Sequence, residues 1–305
     1  MLSSQMDGAG RIREPGVAAM PYALIKGQSR IVGTAPDGDS FRFYPDDEDA
    51  FDKAGLRVRV NAGGGAQLRL EGIDTPETHY TPPVGGTGPL HQPPPSAKGA
   101  ASRALELLGF TRVERRPGET VTESEPETVP CHIATRSTDD YGRCIAFAFS
   151  DETAQDDPAF FLTGEKVRES INHHLVDEGW AYVTFYSSLF ADLRGTLADA
   201  ASKAQAAKHG VWRDDATLTG LTLTSIDTIT EERLVLPKLF RRLVDYLAVN
   251  DGNPDLSGFL AYVDTHGGRV IRTDTTAVTG FDNVLHVHGQ TVKLVLHPSE
   301  LIFLE

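Results

Sequence analysis

Leu68-Arg69-Leu70-Glu71-Gly72-Ile73-Asp74-Thr75-Pro76-Glu77-Thr78 is the stretch around which the rest of the chain is read. It begins as a strand, with β-compatible apolar residues at Leu68, Leu70 and Ile73. It ends at Asp74-Thr75-Pro76, because the proline pushes Thr75 into an extended conformation and cannot donate to a ladder. Arg69, Asp74 and Glu77 therefore fall at or just past a strand end, where a rigid sheet can aim them. An arginine and two carboxylates this close together suit work on a phosphate with a metal ion; a surface strand with charges at its mouth is the plain alternative. Arg69 and Asp74 are five residues apart, an odd offset that puts them on opposite faces of a regular strand. A bulge or twist near Gly72 is the expected way of re-aiming them.

The bulk numbers frame that stretch. A chain of 305 residues is long enough for about two domains, and 40% apolar with 24% charged residues describes an ordinary globular protein. Lys plus Arg is 29 against 43 Asp plus Glu, a formal charge of −14. Phosphate affinity comes largely from Lys and Arg, so a nucleic-acid ligand would need a local basic site on an acidic body. No apolar run is long enough to span a membrane, and residues 1–21 contain no apolar h-region, so a cytoplasmic protein with a disordered leader is expected. The only cysteines, Cys131 and Cys144, read as free buried thiols, although they flank a hairpin and one bridge is conceivable.

Taken in order, the chain opens with strands at Ala23-Leu24-Ile25, Ile31-Val32 and Phe41 to Tyr44, with a turn at Pro36-Asp37-Gly38 that leaves Asp39 at the start of the next strand. The acidic run from Asp46 to Asp52 reads as a solvated connection, Leu56 to Val60 as a strand, and Asn61 to Gly65 as a loop. A proline- and glycine-rich loop from Tyr80 to Pro95 has the length of loops that lie over active sites. A helix from Ser96 to Leu108 stops at Gly109; strands at 111–115 and 128–135 are separated by the polar loop 117–126; Ser137 to Arg143 turns into a strand at Cys144 to Phe149. Helices at 165–178 and 189–209 enclose an aromatic run, Trp180 to Phe185. A composition shift near residue 216 marks a boundary, followed by a capping box at Thr228 to Glu231, an apolar helical stripe (Leu236, Leu239, Phe240, Leu243, Val244, Leu247) and strands from Arg269 onward. His286-Val287-His288 puts two imidazoles on one strand face, and with His297 they could bind zinc or be an ordinary strand face. The order predicts an α+β chain: a small OB-like β-barrel with packed helices, then a smaller α+β domain over 216–305.

Several stretches resemble the staphylococcal nuclease (thermonuclease) family in the same order. They are Asp37-Gly38-Asp39, Arg69 to Thr78, Asp139-Asp140-Tyr141-Gly142-Arg143, Leu175-Val176-Asp177-Glu178-Gly179-Trp180-Ala181, and Ala204 to Lys208 with Gly210-Val211-Trp212. The resemblance implies a calcium site made by Asp39, Asp74 and the backbone carbonyl of Thr75. It implies Glu77 as the group that positions or deprotonates water, and Arg69 and Arg143 as the grip on the scissile phosphate. Calcium takes oxygen ligands and guanidinium forks match phosphate geometry, so the residue types suit the roles. Read singly, Asp39 is also a cap, Asp74 an Asx turn, Glu77 a solvated carboxylate and both arginines salt-bridge partners. Tyr141, Phe185 and Tyr186 fall where aromatics would stack a base. Unlike the family's nucleic-acid-degrading members, this chain has Asp140 rather than lysine before Tyr141, and a proline-rich insertion at 80–95. The implied activity is calcium-dependent hydrolysis of DNA or RNA, single strands favoured, leaving 3′-phosphate ends. A non-catalytic nucleic-acid- or protein-binding module, with residues 216–305 recruiting a partner, is the second expectation.

Overall fold

The computed structural model describes residues 21–85, 88–150 and 156–304; the expected disordered leader lies almost wholly outside them. The strand expected at Ala23 runs as β1 over Tyr22–Ser29, with every residue but Lys26 and Gln28 buried. It pairs antiparallel with β2 (Arg42–Pro45), which pairs with β3 (Ala66–Leu70). After Glu71-Gly72 comes the two-residue β4 (Ile73–Asp74). Strand β3 lies parallel to β8 (Cys144–Phe149), and β8 pairs with β7 (Val129–Thr138), which returns to β1. Five strands thus close an OB-like barrel, β1-β2-β3-β8-β7, with β9 (Asp157–Phe160) added beside the start of β1. Closure depends on Gly27, which pairs with both Pro45 and Cys131. A Cβ there would sit 2.2 Å from the carbonyl oxygen of Tyr44, so only glycine lets the strands approach this closely.

Phe43, Leu68, Ile133 and Phe147 fill the barrel and are fully buried. Helices cover it. The single turns α1 (Ala50–Lys53) and α3 (Gly164–Val167) flank the longer α2 (Pro94–Leu108), α4 (Ile171–Asp177) and α5 (Ala191–Ala206). The alanine face of α2 packs closely, and Gly109 ends it in the left-handed conformation that its sequence predicts. The buried amide of Asn172 on α4 pins helix to barrel: Nδ2 donates to the carbonyls of Glu71 (2.9 Å) and Ala146 (3.1 Å), and Oδ1 accepts from the Ala148 amide at 3.1 Å. This fixes the turn that separates β3 from β4.

Several boundaries differ from expectation. Ile31-Val32 is a turn, and Leu56 to Val60 makes only a single bridge, Val60 to Ala66. The polar loop after Pro117 contains β6 (Val121–Glu125), a hairpin partner of β5 (Arg112–Arg115) whose outward glutamates and arginines hide the strand pattern. The helix expected over 165–178 is cut at Ser170, whose hydroxyl caps α4 by accepting from His173. The capping box at Thr228 sits instead in a single π-type turn, Thr228–Glu232. Cys131 and Cys144 are free and buried.

The aromatic run splits into β10 (Tyr182–Val183) and β11 (Phe185–Tyr186). Strand β10 clips β4, pairing Tyr182 with Asp74. Residues after 216 form β12 (Leu221–Thr222), α6 (Pro237–Val249), α7 (Phe259–His266) and the strands β13 (Arg269–Arg272), β14 (Val278–Gly280), β15 (Leu285–His288), β16 (Thr291–Leu294) and β17 (Leu301–Leu304). They share their core with the barrel half. Strand β17 runs parallel to β11, with Phe185 beside Ile302 and Tyr186 beside Phe303, and α6 buries Leu239, Phe240, Leu243 and Val244. Buried Gln92 ties the halves together, accepting from the Glu77 amide (3.2 Å) and donating to the Val235 carbonyl (2.7 Å). No helix among the described residues is long and apolar enough to cross a membrane.

Candidate active site

Arg69 is the hub of the site. It stands near the end of β3, where the parallel ladder sets it beside Ile145 and thus next to the turn from Asp139 to Arg143. The offset problem between Arg69 and Asp74 is solved by a strand break rather than a bulge. Gly72 takes φ +78°, and a Cβ there would come within 2.6 Å of Leu197. The chain reverses its facing across that turn, so Arg69 Nη2 donates to Asp74 Oδ1 at 2.7 Å and to the Ile73 carbonyl at 3.4 Å. The other arm of Arg69 pairs with Asp39 Oδ2, which also accepts the Thr75 amide at 3.0 Å. Asp39, Asp74 and Thr75 are all buried, so the cationic partners of these carboxylates offset the cost of taking them out of water.

A second guanidinium completes the cluster, and it comes from the C-terminal half. Arg241 on α6 donates through Nη2 to Asp74 Oδ2 at 2.8 Å and through Nη1 to Asp74 Oδ1 at 3.2 Å. Its Nη1 also donates to Glu77 Oε1. Burial acts to raise the Asp74 carboxyl, but Arg241 and Arg69 outweigh it and hold the group at about 2. Burial lifts Glu77 above the ordinary glutamate value, with Asp74 and Asp39 adding to the lift and Arg241 opposing it. Asp37, on the same rim, is raised further by burial and by the charges of Glu77 and Asp39.

These groups open into a cavity of about 450 Å³. Its basic side chains are Arg69, Arg143, Lys238, Arg241 and Arg242, and its carboxylates are Asp37, Asp39 and Glu77. The cleft thus gathers five basic side chains on a chain of formal charge −14, with Arg69, Arg143, Arg241 and Arg242 each paired with a carboxylate. Arg143 is held at the rim by Asp139, whose Oδ2 accepts from Arg143 Nε at 2.6 Å and whose Oδ1 accepts the Arg143 amide at 2.8 Å. Tyr141 and Tyr186 line the cleft, Tyr141 with 78% exposure. Lys238 Nζ lies 3.3 Å from the Tyr186 hydroxyl and 4.0 Å from the centroid of the Phe303 ring.

Arg69, Glu77, Arg143, Asp39, Tyr141 and Tyr186 thus share one cleft, with Asp74 and the Thr75 backbone directly beneath. Phe185 does not join them. It is 1% exposed and packs in the core beside β17, so it has no face to offer a base. Sequence reading missed Arg241, Lys238 and Arg242. Their only signal was a basic stripe on the polar side of the apolar α6 pattern, with nothing to say what it faced.

A closed barrel with flanking helices and an arginine–carboxylate cleft at its side defines a nuclease-like module. Residues 67–214, just under half of the chain, match the family described as Staphylococcal nuclease homologue. No curated protein matches it.

The family implies calcium, and the residues do not fit that ion as they stand. Both oxygens of Asp74 are taken by guanidinium groups, Asp39 Oδ2 by Arg69 and the Thr75 amide, and Glu77 Oε1 by Arg241. Among the described residues no group of three or more His, Cys, Asp or Glu is arranged to hold a metal, His286 and His288 included.

Proposed function

We propose that the cleft binds the sugar-phosphate backbone of DNA or RNA and hydrolyses its phosphodiester bond. The observation that carries this reading is the convergence of Arg69, Arg143 and Arg241 with the carboxylate of Glu77 in one cavity. Arg69 and Arg143 bind the phosphate oxygens as guanidinium forks. Glu77 accepts the proton of the attacking water as oxygen bonds to phosphorus, and the bond from phosphorus to the 5′-oxygen breaks. That oxygen leaves with a proton from solvent, so the product keeps a 3′-phosphate. Charge gathers on the phosphoryl oxygens in the transition state, where each fixed cation is worth about 3–4 kcal/mol by analogy with oxyanion-hole donors. Exposed Tyr141 and half-buried Tyr186 offer faces on which unpaired bases can stack, which favours single strands. Calcium has no step in this reading, since Arg241 stands on the Asp74 and Glu77 oxygens.

One observation favours a second reading, a nucleic-acid-binding module without hydrolysis: Glu77 is already paired with Arg241. Labelled denatured DNA and RNA, incubated with the wild-type chain and with Glu77→Gln and Arg69→Ala, separate the two. Hydrolysis that both substitutions abolish supports the enzyme. Binding without hydrolysis by the wild type supports the module.

A further inference from the structure

We propose that Arg241 is the resident cation of the Asp74–Glu77 cluster, taking the place of a divalent ion and making α6 a wall of the phosphate-binding cleft. The inference deepens the reading of the cleft given above and rests on it only for the identity of the phosphate.

The geometry is that of a built site. Arg241 forks across both oxygens of Asp74 and reaches Glu77 with the same arm, so one guanidinium satisfies two carboxylates from separate positions on the chain. Asp74 is fully buried, and Arg69 alone meets only one of its oxygens. The second oxygen would be left in the interior without a partner if Arg241 were absent.

Arg241 is also fixed. The opposite side of α6 is core, with Leu239, Phe240 and Leu243 fully buried. Asp245 on the same helix accepts the Tyr80 hydroxyl at 2.8 Å, and the Val235 carbonyl just before the helix accepts from Gln92 at 2.7 Å. The helix that carries Arg241 is thus anchored, and its guanidinium is held by Asp74 and Glu77, which argues for a resident constituent of the site. Lys238 and Arg242, on the same polar side, line the cleft with it. The metal requirement that the family implies is thereby replaced by a side chain, and phosphate binding at this cleft does not call for a divalent ion.

Calcium titration by calorimetry on the full chain tests this directly, with wild type, Arg241→Gln, Arg241→Lys and the double variant Arg241→Gln/Asp74→Asn. Wild type and Arg241→Lys should show no calcium binding into the millimolar range. Arg241→Gln should gain it by at least about tenfold in affinity, and the added Asp74→Asn should remove the gain. A labelled single-stranded oligonucleotide should bind the wild type equally in calcium and in chelator. Wild-type calcium binding as tight as that of Arg241→Gln, a folded Arg241→Gln that binds no calcium, or oligonucleotide binding that requires calcium would each overturn the proposal. If Arg241→Gln does not fold, the two wild-type measurements still decide. None of these readouts needs hydrolysis, so a chain that binds without cutting would sink the enzyme reading and leave this one standing.

Discussion

Arg241 and Asp74, 167 positions apart in the chain, meet in a forked ion pair with both carboxylate oxygens engaged, at 2.8 and 3.2 Å. The pair joins α6 to the strand break of the barrel at the point where phosphate chemistry is expected. Breaking one side of it leaves an uncompensated charge in the interior, which is costly. Asp74→Ala should destabilise the chain by about 3–5 kcal/mol, read from the shift of the urea midpoint. A shift below about 1 kcal/mol would mean that Arg69 and Arg241 are solvated in the variant rather than buried.

The same carboxylate gives stability a pH signature. Asp74 is lowered from the ordinary 3.8 to about 2 in the folded chain. A depressed acid stabilises the fold above its unfolded value and loses that contribution as pH falls through its folded value. Its share, on the order of 2 kcal/mol, should therefore disappear between about pH 4 and pH 2. Chemical denaturation across that window should show a loss that Asp74→Asn lacks; parallel curves for the two chains would contradict the assignment.

Glu77 carries the opposite shift. Burial raises it above the ordinary glutamate value, so as a base it loses its charge at a higher pH than a solvated glutamate would. The acid limb of the rate profile should accordingly lie above 4.5, the ordinary value. Arg241→Gln removes the neighbour that opposes the shift, so its acid limb should lie higher still. An acid limb that stays put in Arg241→Gln would show that the two side chains do not interact in solution.

Asn172 is expected to act on the site without touching it. Its amide satisfies two carbonyls and one amide group around the turn that aims Arg69 and Asp74. Asn172→Leu should cost about 2–3 kcal/mol, because the Glu71 carbonyl and the Ala148 amide lose the buried partner that Asn172 gives them. The shift of the thermal midpoint measures it, and a midpoint unchanged within error would assign the turn's geometry to Gly72 alone.

The sequence made the barrel legible because its strands alternate or run apolar and its turns carry glycine at the positions where the backbone needs it. Asp39, Arg69, Asp74, Glu77 and Arg143 were legible as one group only through their order along the chain, since no spacing rule joins residues on three separate elements. The split of β3 from β4 was half visible: the odd offset demanded a device near Gly72, and the chain uses a positive-φ turn. Phe185 was misjudged because an aromatic in a strand looks the same whether it faces a ligand or, as here, the core beside Ile302. Arg241 was out of reach. Helical periodicity shows which side of α6 is polar, but not that a carboxylate 167 positions earlier lies opposite. The acidic bulk charge pointed away from nucleic acid, but it could not show that five basic side chains are gathered in one cleft.

The most direct test of the account is the initial rate of hydrolysis of a labelled single-stranded oligonucleotide, measured beside its binding, for the wild-type chain and Glu77→Gln. Wild-type hydrolysis should be measurable and should fall by about 100-fold or more in Glu77→Gln, with binding retained. Equal rates in the two chains, or none in the wild type, would contradict it.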